Sequence, residues 1–330
     1  MRNLYGILAA VMLVCMLCIP ILSIAGNNPP AVSDESEAPL STLPPAGKDD
    51  YFAVLNHETG AVESIPALEY VWGVVAAEMP ASYEVEALKA QAVAAYTIAV
   101  KNRQEQENDP DPDLKGADLT TDSGVHQGYI SRQSAKEKWG SQYDAYAKKI
   151  EAAVKAVAGE TVNYNGEPIT AAYCAVSSGK TESARVVWGG DLPCLTSVDS
   201  VCDLLAPDYL SEKAVDEKTF RETMKKLGFS SLPDTLSGCI VTPSRSEAGT
   251  VTEYKIGDDS ATGQELREAF GLRSANFDIA EADGKVKFTV RGFGHGVGMS
   301  QFGADYMAKQ GSGYREILQW YYPGSSVGKQ

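Results

Sequence analysis

The sequence predicts a mixed α+β fold with two lobes, placed after an N-terminal transmembrane helix. Residues 4–25 form an uncharged apolar run, and a proline-rich stretch follows it. Beyond that stretch, segments with apolar residues at helical spacing interleave with short alternating segments. The apolar and charged fractions, 44% and 22% of 330 residues, exclude global disorder and a protein with many membrane spans.

The charge balance is acidic, with 29 basic and 44 acidic side chains and a net charge of −15. A nucleic-acid binder needs a basic surface that neutralises phosphates, so we expect no nucleic-acid partner. The acidic net charge suits a solvated protein that binds an uncharged polymer. Six cysteines are too few for a disulfide framework, and Cys194 and Cys202 could be bonded or free.

Residues 1–25 are predicted to anchor the protein in the cell membrane as a single span. The 22 residues 4–25 carry no charge and are long enough to cross a hydrocarbon core of ~30 Å. Arg2 on the leading side places the N-terminus in the cytoplasm and the rest of the chain outside. A cleaved signal peptide is the alternative, because residues 23–25 have a small-x-small pattern. Residues 26–50, with five prolines among polar residues, are interpreted as a disordered tether.

Local signals predict the elements that follow. Residues 51–55 and 61–65 alternate around a turn and indicate a hairpin. Pro66 can open a helix that Pro80 stops, and a capping box of Thr262 and Glu265 begins another. Helices are expected at 66–78, 84–106, 134–158, 216–227, 262–272, 297–310 and 314–320. Further strands are expected at 161–163, 169–175, 238–242, 250–256, 276–280 and 285–291.

Glu78 is the first candidate for chemistry. It follows five small or apolar residues at the C-terminal end of the helix that Pro80 stops. Apolar surroundings and the negative end of the helix dipole both disfavour the charged carboxylate, so they raise its pKa. A general acid that works near neutral pH needs a raised pKa. A surface glutamate at a frayed helix end is the alternative.

A glycine-rich segment, residues 291–304, holds the second group of candidates. Four glycines in seven positions allow close approach of a ligand, and His295 lies among them. Ser300 and Gln301 follow. No second His or Cys lies at ligand spacing, so we expect no metal there, and the pattern fits no phosphate-binding loop. A turn with a structural histidine is the alternative.

Residues 177–190 combine hydroxyls, a carboxylate and Trp188, which suit hydrogen bonding and ring stacking with a sugar. A polar turn before a core tryptophan explains the same residues. Gln91 lies on an apolar helix face, where a buried amide needs hydrogen-bond partners. It either stabilises the packing of the helix or orients a residue of the site. We expect a binding groove lined by Gln91, Ser177, Ser178, Thr181, Glu182, His295, Ser300 and Gln301.

Four windows together resemble the sporulation protein D family: 70–95, 177–190, 291–304 and 314–324. No single motif decides, but their joint order is specific. The likeness covers about residues 51–324 and implies a crescent-like catalytic domain. It is thin at about 203–280, where a second lobe is possible, and residues 325–330 are expected to form a tail.

The resemblance implies a lytic transglycosylase that acts in engulfment during endospore formation. Such an enzyme cuts the MurNAc–GlcNAc bond of peptidoglycan strands stripped of stem peptides and leaves 1,6-anhydro ends. The catalytic acid/base of the family falls on Glu78. The implied partners, at the septal or engulfing membrane, are a cell-wall amidase (stage II sporulation protein P) and a membrane protein (stage II sporulation protein M).

Two departures from the family pattern limit what is carried over. Tyr96 stands where the family often has arginine, so no role of that arginine is assigned here. Some members bind zinc with cysteines beside the segment that holds His126. Residues 122–129 contain no cysteine, so we expect no zinc and no other cofactor.

Two other functions remain open at this point. A related branch enhances a wall amidase, and in that case Glu78 would be structural and the groove would only bind glycan. A hydrolytic muramidase would use water as nucleophile, with Glu182 as a second acid.

Overall fold

The computed structural model describes residues 51–329, so the predicted anchor (1–25) and tether (26–50) lie outside the described residues. Within residues 51–329, no helix combines the length and the apolar character that crossing a membrane requires. The described part is a mixed α+β fold, as predicted.

The helices and strands alternate along the chain. The helices are α1 (Ala67–Glu78), α2 (Val85–Asn108), α3 (Arg132–Trp139), α4 (Tyr143–Ala156), α5 (Ala184–Trp188), α6 (Glu217–Lys226), α7 (Gly263–Phe270), α8 (Gln301–Lys309) and α9 (Tyr314–Tyr321). The strands are β1 (Tyr51–Leu55), β2 (Val62–Pro66), β3 (Leu119–Thr120), β4 (Glu160–Tyr164), β5 (Glu167–Pro168), β6 (Tyr173–Cys174), β7 (Leu210–Asp216), β8 (Ser244–Arg245), β9 (Val251–Ile256), β10 (Asp259–Ala261), β11 (Phe277–Ala282), β12 (Lys285–Arg291), β13 (Met299–Ser300) and β14 (Ser326–Lys329).

The first hydrophobic core is built around α2. This helix is rich in fully buried alanines, and small side chains let α1, α4, α8 and α9 contact it. β1 lies between β2 and β3 beside these helices. Pro66 occupies the N-cap of α1, and the extended backbone of Met79 ends that helix just before Pro80. Packing on α2 therefore holds α1 in place, and Glu78 is the last residue of α1.

A second hydrophobic core lies between α6, α7 and two small antiparallel sheets. Aromatic rings dominate it: the Phe270 ring centroid lies 4.9 Å from that of Phe288 and 5.6 Å from that of Phe220. The predicted capping box of Thr262 and Glu265 at the start of α7 is confirmed. Burial of these rings stabilises the second core.

The glycine-rich segment joins the two cores. After β12 in the second core, the chain returns through residues 292–298 to β13, which pairs in parallel with β6 of the first core. Gly298 has a φ of 74°, and a Cβ atom there would lie 1.9 Å from the carbonyl oxygen of Ala172. Only glycine allows the backbones to approach this closely.

Several predicted elements are wrong in part. The helix expected over 134–158 is two helices, because Gly140, with a φ of 52°, interrupts it. No strand forms at 238–242, where residues 237–239 make a 3-10 turn instead. Only Tyr173–Cys174 of the strand expected at 169–175 pairs, and the helix expected from 297 starts at Gln301. Residues 326–329 are not a tail, because β14 pairs with β4.

Candidate active site

Glu78 lies half-buried at the C-terminal end of α1. Its Oε1 accepts a hydrogen bond of 2.6 Å from the backbone N–H of Gly128. Burial raises the pKa of the Glu78 carboxyl, while the Gly128 hydrogen bond and the positive charge of Lys138 lower it by less. The pKa of the Glu78 carboxyl is therefore closer to neutral pH than that of an exposed glutamate.

The loop after β3 closes over this carboxylate, and Gly128 is the point of contact. A Cβ atom at position 128 would lie only 2.8 Å from Oε1 of Glu78. The next residue, Tyr129, stacks on Tyr70 of α1 with ring centroids 5.8 Å apart and planes 9° apart. No local sequence signal points to Gly128, because it lies 50 positions from Glu78 and acts through its backbone.

A buried polar cluster lies near Glu78. The Tyr173 hydroxyl donates to Oε1 of Gln127 over 2.9 Å, and Nε2 of Gln301 donates to Oε1 of Gln91 over 3.2 Å. Two fully buried polar atoms in the described residues, the Tyr70 hydroxyl and Nε2 of Gln91, lack a partner at hydrogen-bond geometry. Burial raises the pKa of Tyr70 and of Tyr173, and the charge of Glu78 adds to both shifts. Buried polar atoms without a hydrogen-bond partner are rare in folded proteins, and a functional site is one place where they occur.

Asp203 forms a second, fully buried carboxylate centre. It accepts a 2.9 Å hydrogen bond from the backbone N–H of Ser177 and further bonds from the Ser177 and Ser300 hydroxyls, the latter at 2.8 Å. Ser300 also caps α8 by accepting from the N–H of Gly303. Burial raises the pKa of the Asp203 carboxyl, whereas its hydroxyl and N–H donors lower it by less. Asp203 thus ties residues 177–178 to the start of α8, and nothing in its local sequence predicts this.

The candidates from the sequence are side chains that lie below the surface and side chains that border a cleft, and Ser177 and Glu182 do both. The first group lies below the surface and consists of Gln91, Ser177, Thr181, Ser300 and Gln301. Thr181, for example, exchanges hydrogen bonds with the backbone of Val198. These groups hold the walls of the site in place, and direct contact of their side chains with glycan stays a prediction.

The second group borders an open cleft between the two cores. Its lining includes Ser177, Ser178, Glu182 and His295 from the candidate list and Asn276 and Arg291 from the second core. Glu182 is itself nearly buried, and its carboxylate accepts from the Ser183 N–H and from the Ser246 hydroxyl at 2.5 Å. The lining of this cleft does not include Glu78, so the proton-transfer candidate and the cleft are separate features.

His295 is held as a neutral imidazole. Its Nδ1 accepts from the backbone N–H of Val297 over 3.0 Å, an arrangement that assigns the ring proton to Nε2. Burial, with a further contribution from the positive charge of Arg267, lowers the pKa of His295 to about 4. The backbone of Tyr173 also hydrogen-bonds to this ring and raises its pKa by less, so His295 is not a base near neutral pH.

The residues near His126 do not fit the zinc site of some family members. Nδ1 of His126 accepts from the backbone N–H of Thr120 over 3.0 Å, so it is not available as a ligand. In residues 51–329, no group of three or more His, Cys, Asp or Glu side chains is arranged to hold a metal ion. The described cysteines, including Cys194 and Cys202, are free thiols.

Comparisons with known proteins identify relatives of the whole chain. A sequence model of the family described as Stage II sporulation protein (SpoIID) matches residues 55–164. Stage II sporulation protein D of Bacillus subtilis (strain 168) is 36% identical over 98% of this chain and 95% of the relative. Stage II sporulation protein D of Bacillus amyloliquefaciens is 39% identical over 81% of this chain and 75% of the relative. The Amidase enhancer of Bacillus subtilis (strain 168) is 29% identical over 77% of this chain and 40% of the relative.

Proposed function

The chain belongs to the stage II sporulation protein D family, and on that premise we propose that it is a lytic transglycosylase of the cell wall. Its substrate is the MurNAc–GlcNAc bond of peptidoglycan strands that have lost their stem peptides. Glu78 is the catalytic acid/base. We place this activity in engulfment, with residues 4–25 as the membrane anchor and the domain outside the cytoplasm.

The environment of Glu78 is the observation that carries this proposal. A general acid must hold its proton near neutral pH and must reach the substrate. Burial raises the pKa of the Glu78 carboxyl, and a single backbone N–H, from Gly128, fixes Oε1. Oε2 has no hydrogen bond within residues 51–329, so it is free to meet a leaving oxygen.

One carboxyl group is sufficient for this reaction. Glycoside hydrolases use two carboxylates, because one of them activates water or attacks the sugar. In a lytic reaction the C6 hydroxyl of the muramic sugar attacks its own anomeric carbon. Glu78 gives its proton to the glycosidic oxygen as the C1–O4 bond breaks. It then takes the proton from the C6 hydroxyl as the C1–O6 bond forms, which returns the carboxyl to its starting state.

A binding module that enhances a wall amidase is the second candidate. The 29% identity to a protein named Amidase enhancer favours it. In this case glycan would bind in the groove and Glu78 would remain unused. A stage II sporulation protein P-type amidase and a stage II sporulation protein M-type membrane protein are proposed partners under either function.

Product analysis on stripped glycan separates these functions. Purified full-length protein is incubated with stem-peptide-free strands, and the ends are identified by mass spectrometry. We expect 1,6-anhydro-MurNAc ends. Reducing MurNAc ends would instead indicate hydrolysis, with Glu182 the next residue to test. Uncut glycan together with stimulation of an amidase would reject the enzyme and support the binding module.

A further inference from the structure

Trp188 presents an exposed ring beside the cleft. It ends α5, its side chain is 46% exposed, and its ring centroid lies 5.3 Å from that of His295. Gly189 follows with a φ of 77° and turns the chain away from the ring. An exposed aromatic face beside the hydrogen-bonding side chains of the cleft is the usual chemistry for stacking a sugar ring.

A cation that lacks a carboxylate partner lies on α7, and just after this helix the carbonyl of Arg273 accepts a hydrogen bond of 2.9 Å from the N–H of Gly294, next to His295. Arg267 of α7 is half-buried, and its guanidinium hydrogen-bonds to Oε1 of Gln264 at 3.3 Å. Within residues 51–329, no carboxylate oxygen lies within 4.0 Å of it. It is close enough to His295 for its charge to contribute to the lowered pKa of that ring.

The two cations that line the cleft, Lys180 and Arg291, are already neutralised. Lys180 pairs with Glu247, and Arg291 pairs with Asp278 at 2.5 Å. An arginine that is half removed from water and unpaired favours an incoming carboxylate, because charge-assisted hydrogen bonds are roughly twice as strong as neutral ones. The unpaired guanidinium therefore points to an anionic group on the ligand.

We propose that Trp188, His295 and Arg267 form a subsite for a muramic sugar whose lactyl carboxylate is free. The sugar ring stacks on Trp188, the imidazole of His295 packs against the Trp188 ring, and Arg267 binds the carboxylate. This subsite rests on the proposed function, since it identifies which feature of a stripped strand the protein reads. It is separate from Glu78, which performs the proton transfer.

The subsite accounts for selection of stripped strands by charge. When a stem peptide is attached, the lactyl carboxyl is part of an amide and carries no charge. Arg267 then loses its partner while the peptide occupies the space beside it. Removal of the peptide restores the carboxylate, so the reaction that must precede this one is cleavage of the lactyl amide bond.

Binding to two sugars of equal length tests the proposal. The full-length protein in detergent carries Glu78→Gln so that the ligand stays intact, and calorimetry compares a stem-peptide-free peptidoglycan tetrasaccharide with chitotetraose, which has no lactyl group. We expect the background protein to prefer the peptidoglycan sugar. Arg267→Gln should remove this preference, roughly tenfold, without changing the affinity for chitotetraose. Arg267→Lys should recover part of the preference, and Trp188→Ala should weaken the binding of both sugars.

Two matched variants serve as controls. Lys287→Gln removes one positive charge from the second core's sheet, and Trp320→Ala removes a tryptophan that is 49% exposed outside the subsite. Neither should alter the preference. Equal affinity of the background protein for the two sugars, no binding of either, or an unchanged preference in Arg267→Gln would overturn the subsite. Failure of the proposed function would appear differently, as wild-type protein that binds glycan and leaves it uncut.

Discussion

Two buried carboxylates in this molecule share one electrostatic feature and differ in nearly everything else. Burial raises the pKa of both Glu78 and Asp203. Glu78 is half-buried and accepts one backbone N–H, whereas Asp203 is fully buried and accepts an N–H and two hydroxyls. A raised pKa alone would therefore nominate both as proton-transfer groups.

The difference lies in whether an oxygen is left for the substrate. Oε2 of Glu78 has no hydrogen bond within the described residues, and the carboxylate ends a helix at the protein surface. Both oxygens of Asp203 are occupied, and its donors belong to Ser177 and Ser300, on two segments that wall the site. Asp203 is thus a positioning residue, and Glu78 is the group that can exchange a proton with a ligand.

Glu78→Gln tests this contrast with the largest expected effect. The substitution keeps the shape and the Gly128 hydrogen bond, but the amide cannot transfer a proton. Cleavage of stripped glycan should fall by about 10²–10⁴-fold, the usual contribution of general acid–base catalysis. Initial rates of anhydro-product release measure it, and glycan binding should persist. A variant that keeps more than a tenth of the wild-type rate would remove Glu78 from the reaction.

Gly128→Ala should have the next largest effect. The added Cβ would lie 2.8 Å from Oε1 of Glu78, so the carboxylate must move. A displacement near 1 Å at a reacting group can cost up to about 10²-fold in rate. We expect a 10–10²-fold loss of cleavage rate.

Gly328→Ala is the matched control for Gly128→Ala, because a Cβ atom at Gly328 meets nothing within 4 Å. Its rate should equal that of wild type. Equal rates in Gly128→Ala and Gly328→Ala would show that the position of Glu78 is not limiting.

Asp203→Asn should act on stability first. The amide can still accept from Ser177, but its NH2 group meets a hydroxyl that donates in the wild type. Loss of one buried, charge-assisted hydrogen bond costs about 1.5–3 kcal/mol of unfolding free energy. Urea unfolding measures it, and the cleavage rate of the protein that remains folded should change far less than in Glu78→Gln. The reverse pattern, with intact stability and lost activity, would make Asp203 a catalytic group.

The sequence predicts the elements that depend on local signals. The stop at Pro80, which leaves Glu78 at the end of α1, and the capping box of α7 both depend on neighbours in sequence. β7 has no such signal, because Val215 is its one buried residue and its pairing with β12 through the backbone makes it a strand. Elements set by long-range pairing are therefore the ones missed.

The residues of the site divide in the same way, into those with a local sequence signal and those defined by distant contacts. Glu78 and His295 stand out locally, one by its apolar flanks and the other by its glycines. Gly128, Asp203 and Arg267 do not, because each acts on a partner at least 26 positions away. A single sequence carries no record of which distant segments meet, so residues that position others become visible only in the fold.

The pH dependence of stability gives the smallest effect and the most specific one. A carboxyl whose pKa is raised in the folded state binds more protons folded than unfolded, between the unfolded value of about 4.3 and its raised value. Unfolding free energy then falls as pH rises through this window. In Glu78→Gln the contribution of Glu78 is absent, while that of Asp203 remains in both proteins and cancels in the difference. The melting temperature of Glu78→Gln minus that of wild type should therefore increase from about pH 4 to pH 7. A difference that stays constant or decreases over this range would mean that Glu78 is not desolvated, and its distinction from an ordinary surface glutamate would disappear.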